Sequence, residues 1–174
     1  EQHSFAFAQG LALAGRRPVL AHYSTFAQRG YDQFFQELVV QRDLGVVVTL
    51  DRAGLVGEDG ETHQGLYDIA WSRCLPGTVL LSPKDGPELK AMLRWAHGRR
   101  TGAERAAAYL IRYPKEATAD LTWGQERPAP IELGRAEAAG VADDDGSGRV
   151  GESGDVAVAV PVDADGHGPG TAGF

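Results

Sequence analysis

An α/β fold, with a mostly parallel sheet covered by helices on both faces, is what the order of patterns along this chain predicts. Short apolar runs of strand length, such as Val46-Val47-Val48-Thr49-Leu50, alternate with longer segments whose large apolar residues fall near helical spacing. Gly and Pro mark several of the changes, at Gly15, Pro76-Gly77 and Pro114. That alternation is the signature of strands joined through helices.

The elements follow in order. Residues 1–14 are rich in Ala, Leu and Phe and end at Gly15, so a close-packed helix stopped by a glycine is expected. Pro18 to Tyr23 reads as a short strand. Ser24 or Thr25 can cap the next helix, whose Phe26, Tyr31, Phe34, Phe35 and Leu38 carry it to about Val40. Gly45 to Leu50 is a buried strand by length and β-branching. After a glycine-rich loop, Leu66 to Cys74 is a short helix closed at Leu75-Pro76-Gly77, and Thr78 to Leu81 another strand. Ser82-Pro83 opens a turn or cap before an amphipathic helix over Pro87 to His97, with Leu89, Met92, Leu93 and Trp95 on its apolar side. Ala107 to Tyr113 is a last core strand ended by Pro114.

Composition sets the bounds. At 174 residues, 43% hydrophobic and 24% charged, the chain can build one domain with a real core. Residues 132–174 hold nine acids against two bases and so carry the whole net charge of −7. The rest is balanced, its bases scattered, which argues against nucleic-acid binding. Cys74 is the single cysteine, so neither a disulfide framework nor a Cys/His metal site is expected. No apolar run approaches the roughly 20 residues of a membrane span, and a cytoplasmic location is the default expectation. The domain is expected over 1–130. Residues 131–174 form an acidic, Gly-rich linker or tail in which Asp155 to Val162 alternates enough to be a strand, the start of a truncated further domain. Met92 is the sole methionine, so the chain reads as a fragment.

The loop Asp51-Arg-Ala-Gly-Leu-Val-Gly-Glu-Asp-Gly-Glu-Thr-His-Gln-Gly65 is the candidate site, because ligands of open α/β sheets collect at the carboxyl ends of strands. Its wording resembles the 1-deoxy-D-xylulose-5-phosphate synthases, thiamine diphosphate enzymes of the transketolase superfamily. Further matches come in that family's order: Glu1-Gln2-His3, Tyr23-Ser24-Thr25-Phe26 with Gln28-Arg29 and Tyr31-Asp32-Gln33, Arg73-Cys74 with Pro76, and Ile111-Arg112-Tyr113-Pro114. Together they cover about residues 1–135.

The resemblance implies a pyrimidine-binding domain and assigns roles. Glu1 would hold the ring nitrogen of the cofactor's aminopyrimidine, a place where burial raises a carboxyl's pKa so that it keeps or shares its proton. Phe26 would stack on that ring and Arg29, one turn later, would steady it; by pattern alone Phe26 is simply core and Arg29 a surface charge. Tyr23, Arg52 and Arg112 would take the phosphate of glyceraldehyde 3-phosphate, although a lone Arg at a strand end is more often a solvated charge. Asp59 would contact substrate, and His63 would both contact it and handle protons; without the resemblance His63 is a turn residue. His3, His22, His97 and His167 keep structural readings, His3 lying inside a matched motif.

The implied reaction is a transferase condensation of pyruvate with glyceraldehyde 3-phosphate that releases carbon dioxide and feeds isoprenoid, thiamine and pyridoxal synthesis. The family's other domain, expected before Glu1 and absent here, would bind the diphosphate and Mg2+; no metal ligand is assigned in this chain. The fragment is therefore expected to be inactive alone, to need the rest of the synthase chain, and to pair as a homodimer. Two departures stand out: Gln41-Arg-Asp-Leu-Gly45 is a residue longer than the family's link and lacks its proline, and no Gly-Asp-Gly with a downstream Asn occurs. A transketolase, the beta half of a 2-oxoacid dehydrogenase, or a non-catalytic truncated module remain the alternatives.

Overall fold

The computed structural model describes residues 1–99, 106–115, 131, 133–134 and the backbone of 160–161. Helix α1, Gln2–Leu13, ends at Gly15, whose φ of 76° lets Arg16 N donate back to Leu11 O and Gly15 N to Ala12 O. That paired return is how a left-handed glycine satisfies the last carbonyls of a helix. Strand β1, Val19–Tyr23, leads directly into the helical segment α2, residues 24–39. This segment is not uniform: a tight turn at Gln28–Gly30 interrupts it, and Phe34–Val39 is wound wide. Nor does Ser24 or Thr25 cap it. Tyr23 holds the cap position in extended conformation, and Ser24 is buried inside the first turn.

Strand β2, Val46–Asp51, helix α3, Asp68–Arg73, strand β3, Thr78–Leu81, helix α4, Gly86–Gly98, and strand β4, Ala108–Arg112, complete the expected order. The cap of α4 is Asp85, which accepts from Glu88 N at 2.8 Å, while Glu88 accepts from Lys84 N at 2.7 Å. This reciprocal arrangement satisfies two main-chain donors at the helix start, so the Ser82-Pro83 pair lies in the turn before it.

The strands run in the order β1-β2-β4-β3-β5, the first four mutually parallel. The fifth, Val160–Pro161, pairs antiparallel with β3. It falls within the stretch read as a strand over Asp155 to Val162, the rest of which lies outside the described residues, as do most of 131–174 and His167. In β2 the side chains alternate between two cores. Val46, Val48 and Leu50 pack with Phe5 of α1 and Phe34 and Leu38 of α2, whereas Val47 packs with Met92 and Ala96 of α4 and with Tyr109. Helices thus cover both faces, as the continuous apolar strands require.

Parallel registry has one consequence for function. Tyr23 stands beside Asp51, and Leu50 beside Arg112, so the ends of β1, β2 and β4 open on one edge of the sheet. The longer link at Gln41 to Gly45 lies at the opposite edge, where Gly45 N donates to Ala106 O, with Arg42, Asp43 and Gly45 all at positive φ.

Candidate functional site

The loop after β2 is closed at its base by two reciprocal bonds, Gly54 N to Gly65 O and Gly65 N to Gly54 O, each 2.9 Å. Gln64 shapes its interior, accepting from Val56 N and donating to Val56 O and Gly60 O, all at 2.7 Å. No side chain fits at Gly65, where a Cβ would run into the Arg52 carbonyl oxygen and come within 2.8 Å of the Ser24 side chain. Gly65→Ala is therefore expected to lower stability by about 1–3 kcal/mol and to open the loop; an unchanged denaturation midpoint would contradict this packing.

Arg52 begins the loop with φ at 60°, a conformation an L residue holds only when its surroundings fix it. They do so thoroughly. Its main-chain N–H and Nη1 each donate to Asp51 at 2.6 Å, its Nε to Asp59 at 2.5 Å, and its guanidinium lies 3.9 Å from the centre of the Tyr23 ring. The other Asp59 oxygen accepts from Lys115 Nζ at 2.5 Å. Lys115 first, and Arg52 next, hold the Asp59 carboxyl below the usual range for an aspartate.

Beside this network three rings meet. Tyr23 and Phe26 are stacked at 5.9 Å between centres, and His63 packs edge-on to Phe26 at 5.0 Å and tilted to Tyr23 at 5.7 Å. His63 Nδ1 lies 2.9 Å from Thr62 Oγ1. The Arg29 guanidinium sits 5.9 Å from the Phe26 ring. Next to them opens a cleft of about 540 Å3 lined by Thr25, Phe26, Arg29, Thr62, Gln64 and Tyr67.

Glu1 is brought toward the same region through its main chain. Its carbonyl accepts from Ser4 Oγ at 2.8 Å and from Phe5 N at 3.2 Å, and its backbone lies against Gly30, one helical turn past Phe26. His22 supports this corner, its Nε2 2.8 Å from Ser4 Oγ and its ring against Phe5. Burial depresses the His22 pKa. His3 is exposed and stacks on Phe7.

Arg112 is held differently from Arg52. It is buried, its Nε 3.0 Å from the Asp68 carboxylate and its Nη1 3.4 Å from Ser82 Oγ, so Asp68 and Ser82 are the groups it meets. Tyr23, Phe26, Arg52, Asp59 and His63 are thus gathered into one contact network, with Arg29 at its margin, while Arg112 reaches its partners on the β3 side. The sequence reading missed Asp68, Ser82 and Lys115. Asp68 carries the signal of an ordinary first-turn acid, and nothing local reveals its burial.

Among the described residues no three His, Cys, Asp or Glu side chains converge as a metal site, and no helix is long and apolar enough to cross a membrane.

Residues 1–119 match the transketolase pyrimidine binding domain family. Among curated proteins, the 1-deoxy-D-xylulose-5-phosphate synthases of Synechocystis and Thermomicrobium roseum are 47% and 49% identical over 138 residues, covering 79% of this chain. That of Aliivibrio fischeri is 42% identical over 135 residues, or 78% of the chain. The chain spans only about a fifth of these relatives, 20%, 21% and 20% of their lengths. Among solved structures, a split-gene transketolase described as an inactive beta4 tetramer superposes with a TM-score of 0.63 at 23% identity, over 83% of this chain and 43% of its own. The transketolase of Campylobacter jejuni gives 0.52 at 18% identity, over 64% and 17%. At those identities the two structures speak to the fold.

Proposed function

Since the chain belongs to the transketolase pyrimidine binding domain family, we propose that it forms the pyrimidine half of a thiamine diphosphate site in a 1-deoxy-D-xylulose-5-phosphate synthase. The observation that carries this reading is the packing of Phe26 and His63 against Tyr23, whose ring also backs Arg52, at the carboxyl edge of the sheet. The Phe26 ring lining a cleft, with the main chain of Glu1 against Gly30 one helical turn on, supports an aminopyrimidine site in which the Glu1 carboxyl would be the acid. When bound, the cofactor supplies the electron sink that lets pyruvate lose carbon dioxide.

The chain's own residues bind and orient. Glu1 would share a proton with the pyrimidine nitrogen, Phe26 would support the ring and Arg29 would close its margin. Arg52, backed by the Tyr23 ring, would bind the phosphate of glyceraldehyde 3-phosphate, and Arg112 would join it by turning from its buried pairing with Asp68 and Ser82; Asp59 would contact that substrate, and His63 would handle the proton of the forming hydroxyl. Diphosphate and its magnesium ion would fall to the family's other domain, in a cytoplasmic homodimer.

The test is turnover of pyruvate with glyceraldehyde 3-phosphate in the full-length protein. Arg52→Met is expected to raise KM for the phosphorylated aldehyde by about tenfold or more and to leave KM for pyruvate within a factor of about two. Turnover of ketose phosphates instead of pyruvate would assign the chain to a transketolase.

A further inference from the structure

We propose that Lys115 is a positioning residue, which fixes the Asp59 carboxylate and the glycine loop carrying it in one orientation for the substrate. The inference rests on the reading of Asp59 as a substrate contact, and it starts from how that carboxylate is shared. One oxygen faces Arg52 Nε and the other Lys115 Nζ, both at 2.5 Å. A carboxylate gripped at both oxygens by cations from two different chain segments cannot swing about its own bonds without breaking one contact.

Charge balance gives Lys115 its purpose. Arg52 is divided between Asp51 and Asp59, two acids on one guanidinium. Lys115 supplies the second positive charge, and it does so from the segment leaving β4, three residues beyond Arg112, which ties the loop tip to the neighbouring strand. Gln64 and the Gly54–Gly65 pair shape the loop internally; the Arg52 and Lys115 contacts decide where Asp59 lies relative to the strand ends.

Ordinary surface ion pairs do little because both partners are solvated and mobile. Here the Asp59 and Arg52 side chains are only 18% and 17% exposed, and the ring of Tyr23 backs the guanidinium. Lys115 is 35% exposed, and Glu58, 3.6 Å from it and 90% exposed, is the most solvated member of the group. The charged and titratable groups around Asp59 are thus Arg52, Lys115, Asp51 and Glu58, with Tyr23 against Arg52, Tyr113 beside the end of β2, and His63 on the same loop.

The experiment is steady-state kinetics of the full-length enzyme with pyruvate and glyceraldehyde 3-phosphate, comparing Lys115→Gln, Lys115→Arg, Asp59→Asn and the Lys115→Gln/Asp59→Asn pair. Lys115→Gln should lower kcat/KM for the aldehyde about tenfold, with KM for pyruvate little changed. Loss of the neighbouring cation lets the Asp59 carboxyl rise toward its ordinary value, so the acid limb of the kcat/KM profile should move to higher pH. Lys115→Arg should restore both, and the pair should be no worse than Asp59→Asn alone. A Lys115→Gln enzyme with normal kcat/KM and an unmoved acid limb, beside an impaired Asp59→Asn, overturns the inference and leaves Asp59 in its role. A silent Asp59→Asn removes the reading beneath both. Thermal melts run alongside distinguish misfolding, and if Lys115→Gln melts early the Arg variant, compared below both melting points, still decides the matter.

Discussion

Glu1→Gln in the full-length protein is expected to cut turnover of pyruvate with glyceraldehyde 3-phosphate by roughly 10^3-fold while leaving the fold intact. The amide has nearly the shape of the acid but cannot share a proton with a ring nitrogen, so the loss isolates proton sharing from packing. The main-chain contacts of Glu1 to Ser4, Phe5 and Gly30 do not involve the carboxyl and should survive the change. Binding of thiamine diphosphate, followed by calorimetry, should weaken as well, because a hydrogen bond to the pyrimidine goes from acid to amide. Wild-type turnover in this variant would eliminate the proposed role of Glu1, and with it the claim that the head of α1 faces a cofactor.

The second large effect is structural. Asp68→Ala should destabilise the protein by about 3–5 kcal/mol, read from the midpoint of chemical denaturation. The Arg112–Asp68 pair is 3.0 Å long, with side chains 9% and 0% exposed, so truncating the acid strands a guanidinium where water scarcely reaches. Asp68 also accepts from Ile69 N at 2.8 Å, and that donor loses its partner too. Asp68→Asn, which can still accept hydrogen bonds, should lose less. Adding Arg112→Met to Asp68→Ala should recover part of the stability, since it removes the unpaired charge, but it should not recover activity if Arg112 binds phosphate. A single Asp68→Ala variant as stable as the parent would mean that Arg112 is solvated.

The contrast between the two arginines explains how far the site could be read from residues alone. Arg52 belongs to a loop whose glycines and neighbouring acids are consecutive in the chain, so its partners Asp51 and Asp59 lie within seven positions and the segment announces itself. Arg112 finds Asp68 across 44 positions, and Asp59 finds Lys115 across 56. No periodicity or spacing connects residues so far apart, because only the adjacency of strands and the folding-over of the loop set their distance. The caps show the same limit in miniature. Ser24 is a good capping residue by type, yet the chain turns from β1 into α2 so abruptly that Tyr23 takes the position and Ser24 is driven into the core.

What the residue order determined by itself was the succession of helices and strands and the parallel and doubly covered character of the sheet, and it marked the glycine loop as the candidate site. Each of these follows from local preference: β-branched runs that must be buried on both faces, helical spacing of apolar groups, and glycine where the backbone needs positive φ, as at Gly15. Tertiary structure alone decided the strand order β1-β2-β4-β3, the gathering of Tyr23, Phe26 and His63 into one cluster, and the partners of Arg112 and Asp59. Those depend on the pairing of strands distant along the chain, where the choice of neighbour comes from packing the whole sheet and not from any one segment's preference.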